Sequence, residues 1–151
     1  MARFKQKELN GYTLRSGFEY RVGQLLNELE IPWTYEEYSY EYETTIRGGT
    51  CRSCGGNDVG QTRFYTPDFF LWGASIILEV KGRFTGANRT TLRDLRRYHQ
   101  DLDVRLVFQS NNVYSKSTKR RYSDWAEQYG FGYYTGLIDF RRGMLDELKS
   151  K

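Results

Sequence analysis

The most informative segment of the chain is Tyr65–Gly82, YTPDFFLWGASIILEVKG, in which a Pro-Asp pair at 67–68 is followed by Glu-Val-Lys at 79–81. Alternating apolar side chains predict two strands here, over 64–71 and 75–81. Three small or aromatic residues between them suit a tight connection, so the segment is predicted to form a hairpin. A hairpin of this length brings the aspartate opposite the glutamate.

Alternation along the second strand places side chains on two faces. Ile76, Leu78 and Val80 form an apolar face, and the opposite face carries Ile77, Glu79 and Lys81. Two carboxylates and an ammonium would then meet at one strand end, and carboxylates this close repel unless a cation lies between them. Such hard oxygen ligands suit Mg²⁺ or Mn²⁺, which indicates metal-dependent phosphodiester hydrolysis. The alternative is a solvated strand face with a weak ion pair.

Length and composition indicate one cytoplasmic domain. The chain has 151 residues, enough for one ordinary core. Its longest mostly apolar run, 69–78, is far too short to span a bilayer, and residues 1–12 contain no apolar signal-peptide core. An aromatic content of 17% with only two prolines favours strands and a well-packed fold over disorder.

The net charge of +4 is unevenly distributed. Residues 1–81 carry 9 Lys and Arg against 11 Asp and Glu, whereas residues 82–151 carry 14 against 8. A basic half joined to a carboxylate cluster is typical of a nuclease, in which cations hold the DNA backbone. The competing explanation is that the excess of Lys and Arg in residues 82–151 only keeps the protein soluble.

The first third of the chain predicts a loose basic arm, a helix and a long strand. Residues 1–12 form the arm, and the helix begins at Ser16 with Phe18, Val22, Leu25, Leu26 and Leu29 on one face. Glu19 stands three residues after Ser16, a capping-box spacing, and spacing alone favours this cap over a role in the acidic site.

Alternation over 33–46 predicts a strand of about fourteen residues, well above the usual five or six. Its excess length suggests dimerisation or strand exchange.

Residues 47–62 are rich in glycine and predict a loop or hairpin tip that carries Cys51 and Cys54. A closed zinc site needs four ligands, and the chain has one Cys-x2-Cys and a single histidine, His99. Three explanations stay open: free thiols, a local redox-active disulfide, and a Zn²⁺ site shared by two chains of a dimer.

The second half alternates helices and short strands. We expect helices over 90–100, 122–129 and 139–149, strands over 103–108 and 131–137, and a mobile basic loop over 109–121. Together with the hairpin, this order predicts an α/β fold with a mixed central β-sheet flanked by helices.

Five segments in this order resemble the endonuclease I family of short-tailed coliphages, Holliday-junction resolvases of the PD-(D/E)xK nuclease superfamily. They are RSGFE (15–19), YEE (35–37), YTPDFFL (65–71), LEVKG (78–82) and LDVRLVFQS (102–110). The resemblance covers roughly residues 14–135, and the joint occurrence of RSGxE and YTPDF…ExKG is more specific than either motif.

The resemblance implies an active site. Glu19, Asp68 and Glu79 match the family's acidic residues, with the Val80 carbonyl as a further metal ligand, and Lys81 matches the catalytic lysine. Glu19 would then serve the site as well as the cap. Where the family has a glutamate before its YEE, this chain has Thr34, so the accessory role of that glutamate is either absent here or passes to Glu36 or Glu37. Relatives are domain-swapped homodimers, which implies that residues 14–46 exchange and that each site combines Glu19 of one chain with Asp68, Glu79 and Lys81 of the other.

The predicted function is therefore resolution of four-way and other branched DNA junctions by a phage-type homodimer with a single nuclease domain, 13–151, and two Mg²⁺ or Mn²⁺ ions per site. The alternatives are a sequence-specific or mismatch-nicking nuclease on the same core, and a non-catalytic DNA-binding protein. No membrane or small-molecule substrate is expected. The predicted DNA-binding residues are Arg15, Arg93, Arg97, Lys119, Arg120 and Arg121.

Overall fold

The computed structural model of the chain describes residues 5–47 and 58–150. In chain order the elements are β1 (Lys7–Leu9), β2 (Tyr12–Leu14), α1 (Gly17–Glu28), β3 (Trp33–Tyr35), β4 (Tyr40–Arg47), β5 (Asp58–Tyr65), β6 (Phe69–Leu71), β7 (Ile76–Lys81), α2 (Gly86–Tyr98), β8 (Asp103–Phe108), β9 (Val113–Ser115), β10 (Arg120–Arg121), α3 (Tyr122–Gln128), β11 (Gly132–Thr135) and α4 (Gly136–Lys149).

A mixed five-stranded sheet in the order β11-β8-β7-β6-β3 forms the centre of the fold. β7, β8 and β11 run parallel, while β6 and β3 are antiparallel additions at one side. Parallel neighbours need crossover connections, and α2 supplies the one between β7 and β8. The predicted mixed α/β class is confirmed; the assignment to the PD-(D/E)xK core stays a prediction.

Helices cover both faces of the sheet. α1 and α4 pack on one face with Phe140 and Met144 in their core, and α2 and α3 pack on the other with Leu92 and Trp125. β7 lies between these layers: Ile76, Leu78 and Val80 belong to the first core and Ile77 to the second. The expectation of one apolar and one charged face was therefore wrong, because a central parallel strand is buried on both sides.

The β6–β7 hairpin is confirmed with a shorter first strand. Trp72–Ala74 forms a 3₁₀ turn, and Ser75 follows it with φ +52°. The predicted strand 64–71 is in fact broken, since β5 ends at Tyr65 and β6 begins at Phe69. Pro67 lies in the break, and proline has no N–H for a strand ladder.

The predicted strand 33–46 is also broken, into β3 and β4. Glu36 lies between them with φ +51°, a left-handed conformation that no alternation pattern reveals. The excess strand length that suggested exchange therefore does not exist, and exchange of residues 14–46 stays a prediction that rests on the family resemblance. Residues 58–62, expected as part of a loop or hairpin tip, belong to β5. Cys51 and Cys54 lie outside the described residues.

β4 and β5 form a separate two-stranded hairpin that rests on α2. Their pairing runs from Tyr40 with Tyr65 to Arg47 with Asp58. The Thr44 hydroxyl donates to Asp94 Oδ2 of α2 at 2.6 Å. His99, at the end of α2, places Nε2 2.6 Å from the Glu41 carbonyl oxygen. These two bonds fasten the β4–β5 hairpin to the helix layer.

Helix α1 confirms the predicted start and buried face. The Ser16 hydroxyl accepts a hydrogen bond from the Glu19 amide at 3.1 Å, as an N-cap does. Phe18, Val22, Leu25 and Leu26 are buried. The residues before it differ from the loose arm expected over 1–12, because β1 and β2 form a hairpin around Asn10-Gly11, both with positive φ. Residues 1–4 lie outside the described part.

The second half contains the predicted elements with shifted ends. α2 begins at Gly86 instead of residue 90, because Thr85 and Asn88 exchange capping hydrogen bonds. The segment 109–121, expected as a mobile loop, includes the β9–β10 hairpin, and Asn111 ties it to Ser123 of α3 at 2.8 Å. α4 begins three residues early, at Gly136. No helix in the described ranges is long and apolar enough to cross a membrane.

Candidate active site

The two carboxylates predicted from the hairpin lie at the same strand end. Phe69 pairs with Leu78 across β6 and β7, so the same register carries Asp68 opposite Glu79. Asp68 Oδ2 accepts a hydrogen bond from the Val80 amide at 2.7 Å. Both carboxylates are buried, with exposed fractions of 9% for Asp68 and 5% for Glu79.

Glu79 is held from two sides. Its Oε1 lies 2.7 Å from Lys81 Nζ, and its Oε2 accepts a hydrogen bond from the Tyr65 hydroxyl. Lys81 and Glu79 lie two residues apart on one face of β7, which is why the ammonium reaches the carboxylate. Both carboxylate oxygens of Glu79 therefore have defined partners before any ligand binds.

Glu19 supplies the third carboxylate from the first turn of α1. Its Oε2 accepts from the Tyr35 hydroxyl at 2.5 Å and from the Arg15 amide at 3.2 Å. The carboxylate thus bonds the residue before the N-cap instead of the Ser16 amide, so the predicted capping box is only half formed. A role of Glu19 in the acidic site stays a prediction.

The three acids and the lysine influence one another electrostatically. The pKa of Asp68 is raised well above its usual range, first by burial and then by the charges of Glu79 and Glu19, with Lys81 and the Val80 amide opposing. Burial alone would lower the pKa of Lys81, but the carboxylates of Glu79, Asp68 and Glu19 outweigh it and raise the pKa. Lys81 is therefore a charged ammonium at neutral pH.

The donor set fits a hard divalent cation, although it is not a complete cage. Among the residues the structure describes, no three Asp, Glu, His or Cys side chains converge closely enough to form one metal site. Asp68 and Glu79 nevertheless offer carboxylate oxygens, and their mutual repulsion, seen in the raised pKa of Asp68, is the kind that a cation relieves. The Val80 carbonyl as a ligand stays a prediction.

Two tyrosines complete the site and were missed from the sequence. Tyr65 donates to Glu79, and Tyr35 donates to Glu19. Burial and the neighbouring carboxylate raise the pKa of both hydroxyls, so each stays a hydrogen-bond donor. The available signal was chemical: a carboxylate buried on a core strand needs a donor, and Tyr65 stands three residues before Asp68.

Thr34 differs from the family's glutamate in chemistry as well as identity. Its Oγ1 is buried and finds no hydrogen-bond partner among the described residues. The two glutamates proposed to replace its role have partners elsewhere: Glu36 pairs with Arg15 at 3.1 Å, and Glu37 accepts from the Tyr12 hydroxyl at 2.5 Å. A transferred role for Glu36 or Glu37 stays a prediction.

The predicted DNA-binding residues fall into two groups. Arg15 lies next to Glu19 at the start of α1. The others lie on the α2 side of the sheet: Arg93 and Arg97 are exposed on α2, and the β9–β10 hairpin carries Lys119, Arg120 and Arg121. DNA binding by these residues stays a prediction.

Asp68→Asn tests the electrostatics of the site. Because the pKa of Asp68 is raised in the folded protein, this carboxyl costs stability increasingly as pH rises from about 3.9 through its folded value. Asparagine keeps an acceptor for the Val80 amide without the charge. In EDTA, urea unfolding should therefore show the variant gaining stability over the wild type from pH 5 to pH 8.

The matched control is Asp101→Asn, at an exposed site. Its difference from the wild type should not change over the same pH range. An Asp68→Asn protein that is less stable than the wild type at pH 8 in EDTA would contradict the repulsion described here.

Comparison with known proteins gives consistent matches. The family model for phage endonuclease I matches residues 1–149. The chain is 30% identical to Endonuclease I of Escherichia phage T7 over 125 residues, which cover 82% of this chain and 74% of that protein. It is 30% identical to Endodeoxyribonuclease 1 of Enterobacteria phage T3 over 129 residues, which cover 85% and 75% of the two chains.

Proposed function

The chain belongs to the phage endonuclease I family, and from this membership we propose that it is an endodeoxyribonuclease that resolves branched DNA, above all four-way junctions. The observation that carries the proposal is the buried pair of Asp68 and Glu79, with the partly buried Lys81 bonded to Glu79 and with Glu19 beside them. An acid pair with an ammonium on one strand end suits hydrolysis of a phosphodiester, in which negative charge increases as the bond breaks.

In the proposed mechanism Asp68 and Glu79 would hold divalent ions, Mg²⁺ or Mn²⁺, with Glu19 and the Val80 carbonyl as further ligands. Such ions would supply an activated water and stabilise the leaving 3′-oxygen. Lys81, charged at neutral pH, binds a phosphate oxygen and stabilises the charge that develops on it. Tyr65 keeps Glu79 in one orientation through its hydrogen bond. The products carry 5′-phosphate and 3′-hydroxyl ends.

The protein is further proposed to act as a homodimer, because a four-way junction is resolved by two cuts in opposite strands. Exchange of residues 14–46 between the two chains would place Glu19 of one chain beside Asp68 of the other. β3 lies at the edge of the sheet, so the β3 strand of a second chain can pair with β6 in the same register.

The deciding experiment compares a four-way junction with linear duplexes of the same sequence, each with Mg²⁺, with Mn²⁺ and with EDTA. We expect metal-dependent cuts near the branch point, mapped on both strands, and little cutting of the duplexes. Cutting at one particular duplex site would favour a sequence-specific nuclease. Selective junction binding without any cleavage would favour a non-catalytic DNA-binding protein.

Tyr65→Phe tests the orientation of Glu79. The substitution removes only the hydroxyl that donates to the carboxylate, and loss of such an outer partner typically costs 10- to 100-fold in metal affinity or activity. We expect single-turnover junction cleavage to slow by about that factor while junction affinity in EDTA is unchanged. Tyr98→Phe, at a half-exposed position on α2, is the control. Equal rates for the two variants would remove Tyr65 from the mechanism.

A further inference from the structure

A polar cavity of about 350 Å³ lies between α2, the β9–β10 hairpin and α3. Three arginines line it: Arg89 and Arg93 from α2, and Arg120 from β10. Thr90 and Gln128 add neutral polar groups, and none of the described residues that line the cavity is acidic. Cationic side chains therefore converge on one space without a carboxylate among them.

The contacts of two of these arginines leave their charge available. Arg89 Nη1 donates to the Phe84 carbonyl at 2.6 Å, and its guanidinium lies over the Tyr114 ring at 4.6 Å. Arg120 Nη2 donates to the Asp124 carbonyl at 3.3 Å. Backbone carbonyls and an aromatic face orient a guanidinium without neutralising it.

Arg105, on β8, shows the contrasting case of an arginine whose charge is neutralised by carboxylates. Arg105 bonds the carboxylates of Asp103 and Glu147 at 2.8 and 3.2 Å. In the cavity the nearest equivalent is the long 3.7 Å contact between Arg93 Nε and Asp94 Oδ1. The Asp94 carboxylate is also engaged by Thr44, at its other oxygen. The cavity thus retains a net positive charge that an anion can neutralise.

The cavity lies at the same end of the sheet as the candidate active site. Lys81 and Phe108 pair at the ends of the parallel strands β7 and β8. The chain leaves β7 to enter α2, which carries Arg89, and leaves β8 to enter β9, which carries Tyr114. In open α/β sheets, ligands bind beyond the carboxyl ends of the strands. DNA bound at Lys81 would therefore lie beyond the same end of the sheet as this cavity.

We propose that this cavity binds one phosphodiester group of the DNA, separate from the phosphodiester that is cut. Planar guanidiniums with fixed orientation match the tetrahedral oxygens of a phosphate, and arginine is the residue best suited to bidentate phosphate contact. The proposal rests on the proposed function only in taking DNA as the ligand. It assigns the contact to a defined pocket and not to general attraction by basic surface.

The test measures affinity for a four-way junction in EDTA over a range of salt concentrations. The variants are Arg89→Gln, Arg93→Gln, Arg120→Gln and the triple substitution, each checked for an unchanged thermal unfolding profile. The control is Arg142→Gln, an exposed arginine on α4, in the opposite helix layer. Each single variant should bind about tenfold more weakly, as expected for a charged hydrogen bond.

The salt dependence of binding distinguishes one phosphate bound in the cavity from several phosphates bound separately by the three arginines. Each phosphate contact contributes about 0.9 to the slope of log K against log salt. Because the three arginines share one phosphate, the triple variant should lose no more than about 0.9 per protomer. A loss near three times that value overturns the pocket, as does binding equal to that of Arg142→Gln.

A scan of methylphosphonate linkages in the junction locates the contact. One neutral linkage should weaken wild-type binding but cost the triple variant nothing further, as a double-mutant cycle requires for a direct pair. Stabilisation of the wild type by inorganic phosphate, without any such position in DNA, would indicate a free-anion site and overturn the proposal. Junction cleavage with magnesium is scored separately, so the pocket and the nuclease function can fail independently.

Discussion

Glu79→Gln is expected to reduce cleavage of a four-way junction by about 10³-fold. Glutamine keeps the shape of the side chain and an oxygen that accepts from Tyr65, but it carries no charge for a divalent ion or for Lys81. Affinity for the junction in EDTA should change little, because Glu79 is only 5% exposed. Its negative charge repels the DNA backbone, so its removal does not weaken binding. Single-turnover kinetics and equilibrium binding measure the two quantities.

The matched control is Glu8→Gln, which removes the same charge at an exposed position of β1. Lys81→Ala should resemble Glu79→Gln in activity, since it removes the ammonium 2.7 Å from that carboxylate. A Glu79→Gln or Lys81→Ala protein that resolves junctions near the wild-type rate would show that the catalytic centre lies elsewhere.

Phe69→Ala is expected to lower the free energy of unfolding by about 3–5 kcal/mol. Phe69 is fully buried beside Asp68, and its ring meets Trp33 at 5.2 Å and Tyr35 at 5.3 Å between centroids. Alanine leaves a cavity among the buried side chains of the core that Phe69 belongs to. For a domain of this size each kcal/mol lowers Tm by about 2–4 °C, so thermal and urea unfolding both report the loss.

Phe64→Ala is the control, because Phe64 is 69% exposed one strand earlier. It should cost well under about 1 kcal/mol. If the two variants unfold at the same urea concentration, the contacts of the Phe69 ring with Trp33 and Tyr35 do not stabilise the fold as expected.

The sequence predicted the opposition of Asp68 and Glu79 better than it predicted the lengths of the strands around them. The spacing of Asp68 and Glu79 fixed their opposition because it depends only on a short hairpin. Alternation failed at Glu36 and at Pro67, since a left-handed residue or a missing N–H breaks a strand without disturbing its pattern of apolar side chains. Local order is readable from periodicity, but interruptions depend on single backbone conformations.

Contacts between segments that are distant in the sequence could not be predicted either. The bond from Tyr65 to Glu79 joins two strands of different sheets, and the bond from Tyr35 to Glu19 joins an edge strand to a helix. The cavity formed by Arg89, Arg93 and Arg120 likewise depends on how the β9–β10 hairpin packs against α2. None of these pairings follows from periodicity, because each requires the relative positions of two elements.

The attachment of the β4–β5 hairpin to α2 affects the position of Tyr65 in the candidate active site. Thr44 and His99 tie this hairpin to α2, and its last residue, Tyr65, bonds the carboxylate of Glu79. Because Tyr65 is the last residue of this hairpin, the seating of the hairpin on α2 sets the position of the hydroxyl that binds Glu79.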